Sequence, residues 1–239
     1  MNGPNFNSFH QFVLRADKIL PALDVKVSLD LGSRDGEVAL YLRDHYPNAE
    51  VFAFECNPEA IRLCRQNLGD QKRIQLVERA VCEIDGPVTF YAIDPELTKT
   101  PDPEGNIGAS SLYLAEPGYP HERYVQNAIT VDSVSLASWA SVQVPQINNI
   151  DVIWMDLQGA ELRALQGLGS LLDTVKLIYT EVEYKKMYQG QPLADEVHAF
   201  LTSRGFMRMM RLNAWEWFGD EVYCRKSLFP WEKLARLRG

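Results

Sequence analysis

The sequence predicts an α/β fold in which a mostly parallel sheet carries helices on both faces. Short β-rich runs alternate with helical patterns, a glycine-containing turn follows the first run, and a hairpin pattern comes last. The chain has 239 residues, of which 46% are hydrophobic, and this suffices for the core of one such domain. We therefore expect a single domain over residues 1–239.

The predicted strands are runs of β-branched, aromatic and other apolar residues that end at turn-forming or acidic residues. In chain order they cover residues 25–31, 50–55, 74–81, 151–156 and 176–183. Two further runs, 206–211 and 216–224, predict a hairpin at the edge of the sheet, with Asn213-Ala214 in its turn.

Apolar residues at helical spacing predict the helices between these strands. The predicted helices cover residues 6–20, 36–46, 57 onward, 161 onward and 195–203. The first of them lies in an N-terminal segment, residues 1–24. The third begins at Asn57-Pro58, because Asn accepts hydrogen bonds as a helix cap and Pro fits the first helical position.

One long segment breaks this alternation. Prolines and glycines recur between Asp94 and His121, which is typical of a functional lid or of a surface insertion. We predict a lid or acceptor loop over residues 94–128, near the C-terminal edge of the sheet where open α/β sheets bind ligands. A dispensable surface insertion is the alternative.

The composition narrows the classes of partner. The net charge is −8, from 32 acidic and 24 basic residues. Because this sign repels phosphate backbones and anionic lipid, we expect no nucleic acid and no membrane as partner. The sequence shows no signal-peptide pattern, no apolar stretch of the ~20 residues that a membrane span needs and no CxxC pair. We therefore expect a soluble, cytoplasmic protein with free thiols; its oligomeric state stays open.

The turn after the first strand indicates the kind of cofactor. The segment Asp30-Leu-Gly32-Ser-Arg34-Asp-Gly36 places Arg34 where a dinucleotide fold needs its central glycine, which argues against NAD. Glu55 ends the second strand and is placed to accept hydrogen bonds from ribose hydroxyls, while Asp30 suits an ammonium group. S-adenosylmethionine has one ribose, an ammonium group and a sulfonium, but no phosphate. We predict it as the cofactor, with contacts from Asp30, Gly32, Gly36 and Glu55. The alternatives are a solvated strand end for Glu55 and a turn-capping carboxylate for Asp30.

Several short motifs resemble those of the FkbM-type S-adenosylmethionine-dependent O-methyltransferases over about residues 25 to 225. The most specific are Asp156-Leu-Gln158-Gly-Ala-Glu161 and the Glu181-Val-Glu183 that follows it. The family commonly has Lys at the position of Trp154 and often Glu at that of Gln158. The other matching segments are Asp30-Leu-Gly32 with Gly36, Glu55-Cys-Asn57-Pro58, Arg79-Ala-Val81, Gly108-Ala-Ser-Ser-Leu112, Val131-Asp132-Ser133 and Gly205-Phe206.

The resemblance implies a class I methyltransferase, Rossmann-like fold with a seven-stranded sheet whose last strand is antiparallel. It implies methyl transfer to a hydroxyl of a sugar, a glycan or a specialised metabolite. It also places the adenine of the cofactor near Val81, where Val81 or Cys56 can pack on the ring.

Carboxylates at predicted strand ends are the candidates for catalysis. In-line displacement of the methyl group by an alcohol requires alignment and removal of a proton. We expect Asp156 at the acceptor, with helix capping as the alternative. Glu181 and Glu183 share one strand face, and their costly like charges favour Glu181 as the second acceptor-side residue over a solvated edge. Asp132 could join Asp156 and Glu181 in a Mg²⁺ site, whereas a metal-free base is the alternative.

Other features leave the acceptor and the function open. Trp215 and Trp217 alternate in the last predicted strand, where they would either pack in the core or stack on a sugar ring. A cofactor-binding module without catalysis and an NAD-dependent oxidoreductase are the alternative functions.

Overall fold

The computed structural model describes residues 4–20, 23–102 and 105–229, within which the chain forms ten strands and six α-helices. Residues 1–3, 21–22, 103–104 and 230–239 of the expected domain lie outside the described residues. The strands are β1 (Val27–Leu31), β2 (Glu50–Phe54), β3 (Ile74–Val77), β4 (Ala80–Val81), β5 (Gly86–Ile93), β6 (Gln126–Val134), β7 (Val152–Met155), β8 (Leu177–Glu183), β9 (Phe206–Ala214) and β10 (Phe218–Arg225). The helices are α1 (Pro4–Ile19), α2 (Glu37–His45), α3 (Pro58–Leu68), α4 (Leu136–Ser141), α5 (Glu161–Gly167) and α6 (Ala194–Ser203).

Seven of the strands form the main sheet in the order β3-β2-β1-β7-β8-β10-β9. Neighbours from β3 to β8 pair in parallel, whereas β10 pairs antiparallel with both β8 and β9. The predicted seven-stranded, mostly parallel sheet with an antiparallel last strand is therefore confirmed. Buried residues of α1, α2 and α3 cover one face of this sheet, and those of α4, α5 and α6 cover the other.

The third predicted strand, residues 74–81, is wrong as a single strand. The N–H of Arg79 donates to the carbonyl of Val77 at 2.9 Å, which turns the chain away from the main sheet. β4 then pairs with β6, and β6 pairs antiparallel with β5, so that these three strands form a second sheet that the sequence did not predict. Residues 94–125 connect β5 to β6, and residues 126–128 of the predicted loop belong to β6.

The final hairpin differs from the prediction in its turn. Asn213 and Ala214 are the last residues of β9, where Asn213 pairs with Asp220 and its side-chain amide donates to the Asp220 carboxylate. Residues 215–217 make the turn. Trp215 and Trp217 therefore do not lie on one face of a strand, and Trp215 is exposed.

The N-terminal helix completes the core over Trp154. The Trp154 and Tyr179 rings stack with their centroids 3.4 Å apart and nearly coplanar, at 6°. Phe12 of α1 meets both rings edge-on at 5.7 and 6.0 Å, and Phe9 lies 5.7 Å from Trp154. Trp154 stands at the position where FkbM-type proteins commonly carry Lys. Its aromatic ring forms the surface on which α1 packs. No helix among the described residues has both the length and the apolar character needed to cross a membrane.

We predict that Phe12→Ala lowers the free energy of unfolding by about 3–5 kcal/mol, because it opens a cavity beneath two stacked rings. Leu14 on the same helix is 49% exposed, and Leu14→Ala is the matched control with an expected loss within about 0.5 kcal/mol. Urea unfolding followed by tryptophan fluorescence measures both variants. Equal losses in the two variants would contradict the packing of α1 as part of the core.

Candidate active site

A cavity of about 260 Å³ opens at the carboxyl ends of β1, β2, β7 and β8. Six of the eight residues predicted for the cofactor and the acceptor line it: Gly32, Glu55, Cys56, Val81, Asp156 and Glu181. This edge of a parallel sheet is where open α/β folds bind ligands. Asp30 and Gly36 lie outside the lining.

The two glycines of the first turn have different structural roles. Gly32 has φ +82°, and a Cβ there would stand 1.9 Å from the carbonyl oxygen of Asp156, so that only glycine fits. Gly36 has φ +84° and caps α2; a Cβ there would stand 2.7 Å from Cγ of Leu68. Gly32 thus brings the end of β1 against β7 at the cavity, whereas Gly36 lets α2 pack on α3.

Asp30 lies buried directly before this turn. Its Oδ2 accepts a hydrogen bond from the Ser33 hydroxyl at 2.5 Å. Its Oδ1 has no hydrogen-bond partner of normal geometry among the described residues. Burial raises the pKa of Asp30 to about 7, although the Ser33 hydrogen bond acts in the opposite direction. A buried carboxylate oxygen without a donor beside a ligand cavity suits a cationic group.

Glu55 is not a solvated strand end, because it is buried and its carboxylate accepts three backbone hydrogen bonds. The N–H groups of Cys56 and Asn57 donate to Oε1 at 2.8 Å, and that of Arg34 donates to Oε2 at 2.8 Å. Burial raises the pKa of Glu55, and these donors oppose the shift. The carboxylate is thereby held at the end of β2, facing the cavity.

Asp156 and Glu181 are joined by the side chain of Gln158, a role that the sequence did not predict. Nε2 of Gln158 donates to Oδ1 of Asp156 at 2.7 Å and to Oε2 of Glu181 at 2.8 Å. The Gln158 backbone has φ +53°, a left-handed conformation that is costly for a residue other than glycine. Its Oε1 lies 2.7 Å from the Tyr188 hydroxyl, which is also 2.9 Å from the carbonyl of Ala109 in the long loop. Gln158 thus connects both carboxylates to the loop.

Burial raises the pKa of both Asp156 and Glu181. The charge of Asp156 is the next largest cause for Glu181, whereas Gln158 opposes the shift at Asp156. Glu183 lies two residues on and is buried, and its Oε1 has no hydrogen-bond partner among the described residues. Glu161, rather than Asp156, binds the backbone before α5: its Oε1 accepts the Leu157 N–H at 2.7 Å, and burial raises its pKa to about 8.

The Mg²⁺ set considered from the sequence is not brought together. Asp132 lies exposed on β6 of the second sheet and does not line the cavity. Within the part of the chain that the structure describes, no group of three or more His, Cys, Asp or Glu side chains is placed to hold a metal ion.

The segment between β5 and β6 forms one wall of the cavity through Asn106, Gly108, Tyr119 and Tyr124. Glu122 stabilises this segment by accepting hydrogen bonds from Thr100, Asn106 and Tyr124. Isolated bridges further join residue 91 to 111, 99 to 123 and 115 to 188. The sequence predicted a loop here and singled out Gly108, but not the contacts of the other residues, because irregular backbone has no periodicity.

Aromatic rings line part of the cavity. Tyr119 and Phe218 line it, and the Trp217 ring meets Tyr119 at 5.3 Å in an edge-on contact. Nζ of Lys185 lies 5.0 Å from the centre of the Trp217 ring. Trp217 therefore packs behind the lining of the cavity.

A family model described as the methyltransferase FkbM domain matches residues 30–207. The chain belongs to the FkbM methyltransferase family. It is 34% identical over 166 residues to 2-O-methyltransferase NoeI of Sinorhizobium fredii, with 69% of this chain and 66% of NoeI covered. It is 24% identical over 164 residues to Methyltransferase 1 of Beauveria bassiana, with 66% and 64% covered. The chain thus spans about two thirds of the length of these curated relatives.

A solved structure shows the same fold. Sp1610 of Streptococcus pneumoniae, solved in complex with S-adenosyl-L-methionine, aligns with a TM-score of 0.50 at 14% identity. The alignment covers 94% of this chain and 73% of Sp1610. At this identity the likeness concerns the fold alone.

The residues of this FkbM domain fit S-adenosylmethionine. The orphaned oxygen of Asp30 suits a cationic group, and the Glu55 carboxylate has the chemistry to accept hydrogen bonds from ribose hydroxyls. Gly32 keeps the cavity wall free of a side chain. When bound, the cofactor supplies an electrophilic methyl group on a sulfonium.

We predict that Asp30 makes folding pH-dependent. Its pKa in the folded state, about 7 against an ordinary 3.8, means that folding binds a proton between these values. The contribution of Asp30 to the free energy of unfolding is fully present below about pH 4 and is lost as the pH rises through 7. The free energy of unfolding of the wild type, measured against that of Asp30→Asn, should fall by about 2–4 kcal/mol between these limits.

Urea unfolding at several pH values measures this difference. Asp24→Asn removes a carboxylate whose side chain is 65% exposed and serves as the control. A constant difference between wild type and Asp30→Asn from acid to neutral pH would show that Asp30 does not take up a proton on folding.

Proposed function

We propose that the chain is an O-methyltransferase that transfers a methyl group from S-adenosylmethionine to a hydroxyl of a sugar, a glycan or a specialised metabolite. The observation that carries the proposal is the pair of carboxylates, Asp156 and Glu181, that Gln158 holds at the cavity. We assign Glu55, Asp30 and Gly32, with Cys56 and Val81 at the adenine, to the cofactor side. Gly36 does not line the cavity, and we assign it the structural role of letting α2 pack on α3 next to this turn.

The acceptor-side carboxylates have the properties that the reaction needs. An alcohol is a poor nucleophile until its proton is removed, and a carboxylate of raised pKa takes up that proton near neutral pH. Nε2 of Gln158 has two hydrogens and uses one on each carboxylate. One oxygen of Asp156 and one of Glu181 are therefore engaged, and the others can face the acceptor. We assign the proton transfer to this pair, acting without a metal ion.

Two observations support a hydroxyl on a sugar as the acceptor. The rings of Tyr119 and Phe218 offer flat apolar surfaces of the kind on which the C–H faces of a sugar pack. The related NoeI is named a 2-O-methyltransferase. The long loop between β5 and β6 would then act as the lid that closes on the acceptor.

The direct test is incubation of the purified chain with S-adenosylmethionine and a panel of sugars, oligosaccharides and hydroxylated metabolites. We expect one class of acceptor to gain the mass of one methylene group, together with release of S-adenosylhomocysteine. Tight binding of S-adenosylmethionine without turnover on any acceptor would favour a cofactor-binding module without catalysis. Binding of NAD instead would overturn the assignment of the cofactor.

We predict that Glu181→Gln and Asp156→Asn each lower kcat by about 10²- to 10⁴-fold, because each removes one of the groups that take up the proton. The Kd for S-adenosylmethionine, measured by calorimetry, should change little. Glu59→Gln, on the exposed face of α3, is the control with unchanged kcat. Full turnover in both site variants, or loss of turnover after treatment of the wild type with EDTA, would contradict a metal-free carboxylate base.

A further inference from the structure

The cavity lining carries more negative than positive charge, and neither of its two cationic side chains has a hydrogen bond or ion pair among the described residues. Its acidic residues, among those described, are Glu55, Glu122, Asp156 and Glu181, and its basic residues are Arg34 and Arg79. Arg79 is exposed, next to the adenine-side residue Val81. Arg34 is half-buried and lies in the turn after β1, at the position where a dinucleotide fold would require glycine.

The backbone of Arg34 is fixed from two sides. Its N–H donates to Oε2 of Glu55 at 2.8 Å, and its carbonyl accepts a hydrogen bond from the Cys64 thiol at 3.4 Å. Its φ is +56°, a left-handed conformation that an arginine adopts at a cost. Strain of this kind, held in place by neighbouring groups, is typical of functional positions.

The side chain of Arg34 extends along the cavity toward the loop. A Cβ built on Gly108 would stand 3.5 Å from Cδ and 3.6 Å from Nε of Arg34, so glycine leaves open the space beside this side chain. The positive charge of Arg34 lowers the pKa of Asp156, which places Arg34 near the acceptor-side pair. Its guanidinium nevertheless has no hydrogen bond and no ion pair within 4.0 Å among the described residues. A guanidinium has five N–H donors in a fixed fork that matches a carboxylate.

We propose that Arg34 forms a carboxylate-binding subsite, and that its guanidinium binds the α-carboxylate in the methionine part of S-adenosylmethionine. The inference rests on the cofactor of the proposed function. Arg34 touches the ribose-side acid Glu55 through its own N–H, and this favours the cofactor over the acceptor as the source of the carboxylate. The subsite also gives a reason for arginine in the first turn: the ligand has no pyrophosphate to exclude a side chain there, and it has one carboxylate that needs a cation.

Two ligands that differ in the amino acid portion test this subsite. S-adenosylhomocysteine has the carboxylate, whereas 5′-methylthioadenosine keeps the adenine, the ribose and the sulfur but lacks the amino acid portion. We expect Arg34→Ala to weaken the Kd of S-adenosylhomocysteine by about 10- to 100-fold, as for loss of a charged hydrogen bond. The Kd of 5′-methylthioadenosine should stay within about twofold, since it makes no contact that Arg34 supplies.

Arg34→Lys keeps the charge but not the fork, and we expect a smaller loss that is confined to S-adenosylhomocysteine. Arg79→Ala is the matched control and should leave the ratio of the two Kd values unchanged. Calorimetry at low and high salt adds a second readout, because the salt dependence of the S-adenosylhomocysteine Kd should decrease in Arg34→Ala.

Equal weakening of both ligands by Arg34→Ala would overturn the proposal, because it would indicate a structural role for the side chain. An unchanged Kd for S-adenosylhomocysteine would overturn it as well, and an accompanying rise in KM for acidic acceptors alone would then identify the acceptor as the source of the carboxylate. Failure of the wild type to bind either ligand would instead contradict the cofactor of the proposed function. Thermal unfolding of each variant confirms that the fold is retained.

Discussion

The close approach of β1 and β7 at Gly32 determines how the site is built. The N–H of Asp156 donates to the Leu31 carbonyl at 3.0 Å, and Gly32, directly after β1, leaves no room for a Cβ. The N–H groups of Gly32 and Ser33 donate to the Phe54 carbonyl at 3.0 and 2.9 Å, so the same turn also holds the end of β2. These contacts set the position of Glu55, after β2, relative to Asp156, after β7, and in the proposed function methyl transfer depends on such alignment.

Several carboxylates around this contact are buried at a cost in stability. Burial raises the pKa values of Asp30, Glu161, Glu181 and Glu183, since an ionised group in an apolar environment is unfavourable. Backbone N–H groups offset part of this cost at Glu55 and Glu161, but the side-chain amide of Gln158 serves both Asp156 and Glu181. Of the groups with raised pKa, Glu55, Asp156 and Glu181 line the cavity, and such groups gathered in one cleft are typical of active sites. Part of the acidic excess of the chain therefore lies at the site.

The main sheet was predictable because its central strands are buried along their whole length and leave continuous apolar runs, as in β7. The second sheet has no such pattern: β4 has two residues, and β5 and β6 contain exposed and half-buried positions. Glu55, Asp156 and Glu181 could be placed at the cavity because parallel strands end at one edge. The roles of Gln158 and Glu161 could not be predicted, since they depend on a left-handed backbone and on burial that sequence spacing does not encode.

Trp154 relates the N-terminal helix to the chemistry of the site. It lines the cavity, stacks on Tyr179 and is covered by α1, two residues before Asp156. A lysine here, as FkbM-type proteins commonly have, would bring a positive charge close to the buried acids and would favour their charged forms. Because tryptophan carries no charge, the cation that acts on Asp156 is instead Arg34, which lies in the turn after the neighbouring strand β1. The aromatic residues below the site thus help to keep the pKa values of Asp156 and Glu181 raised.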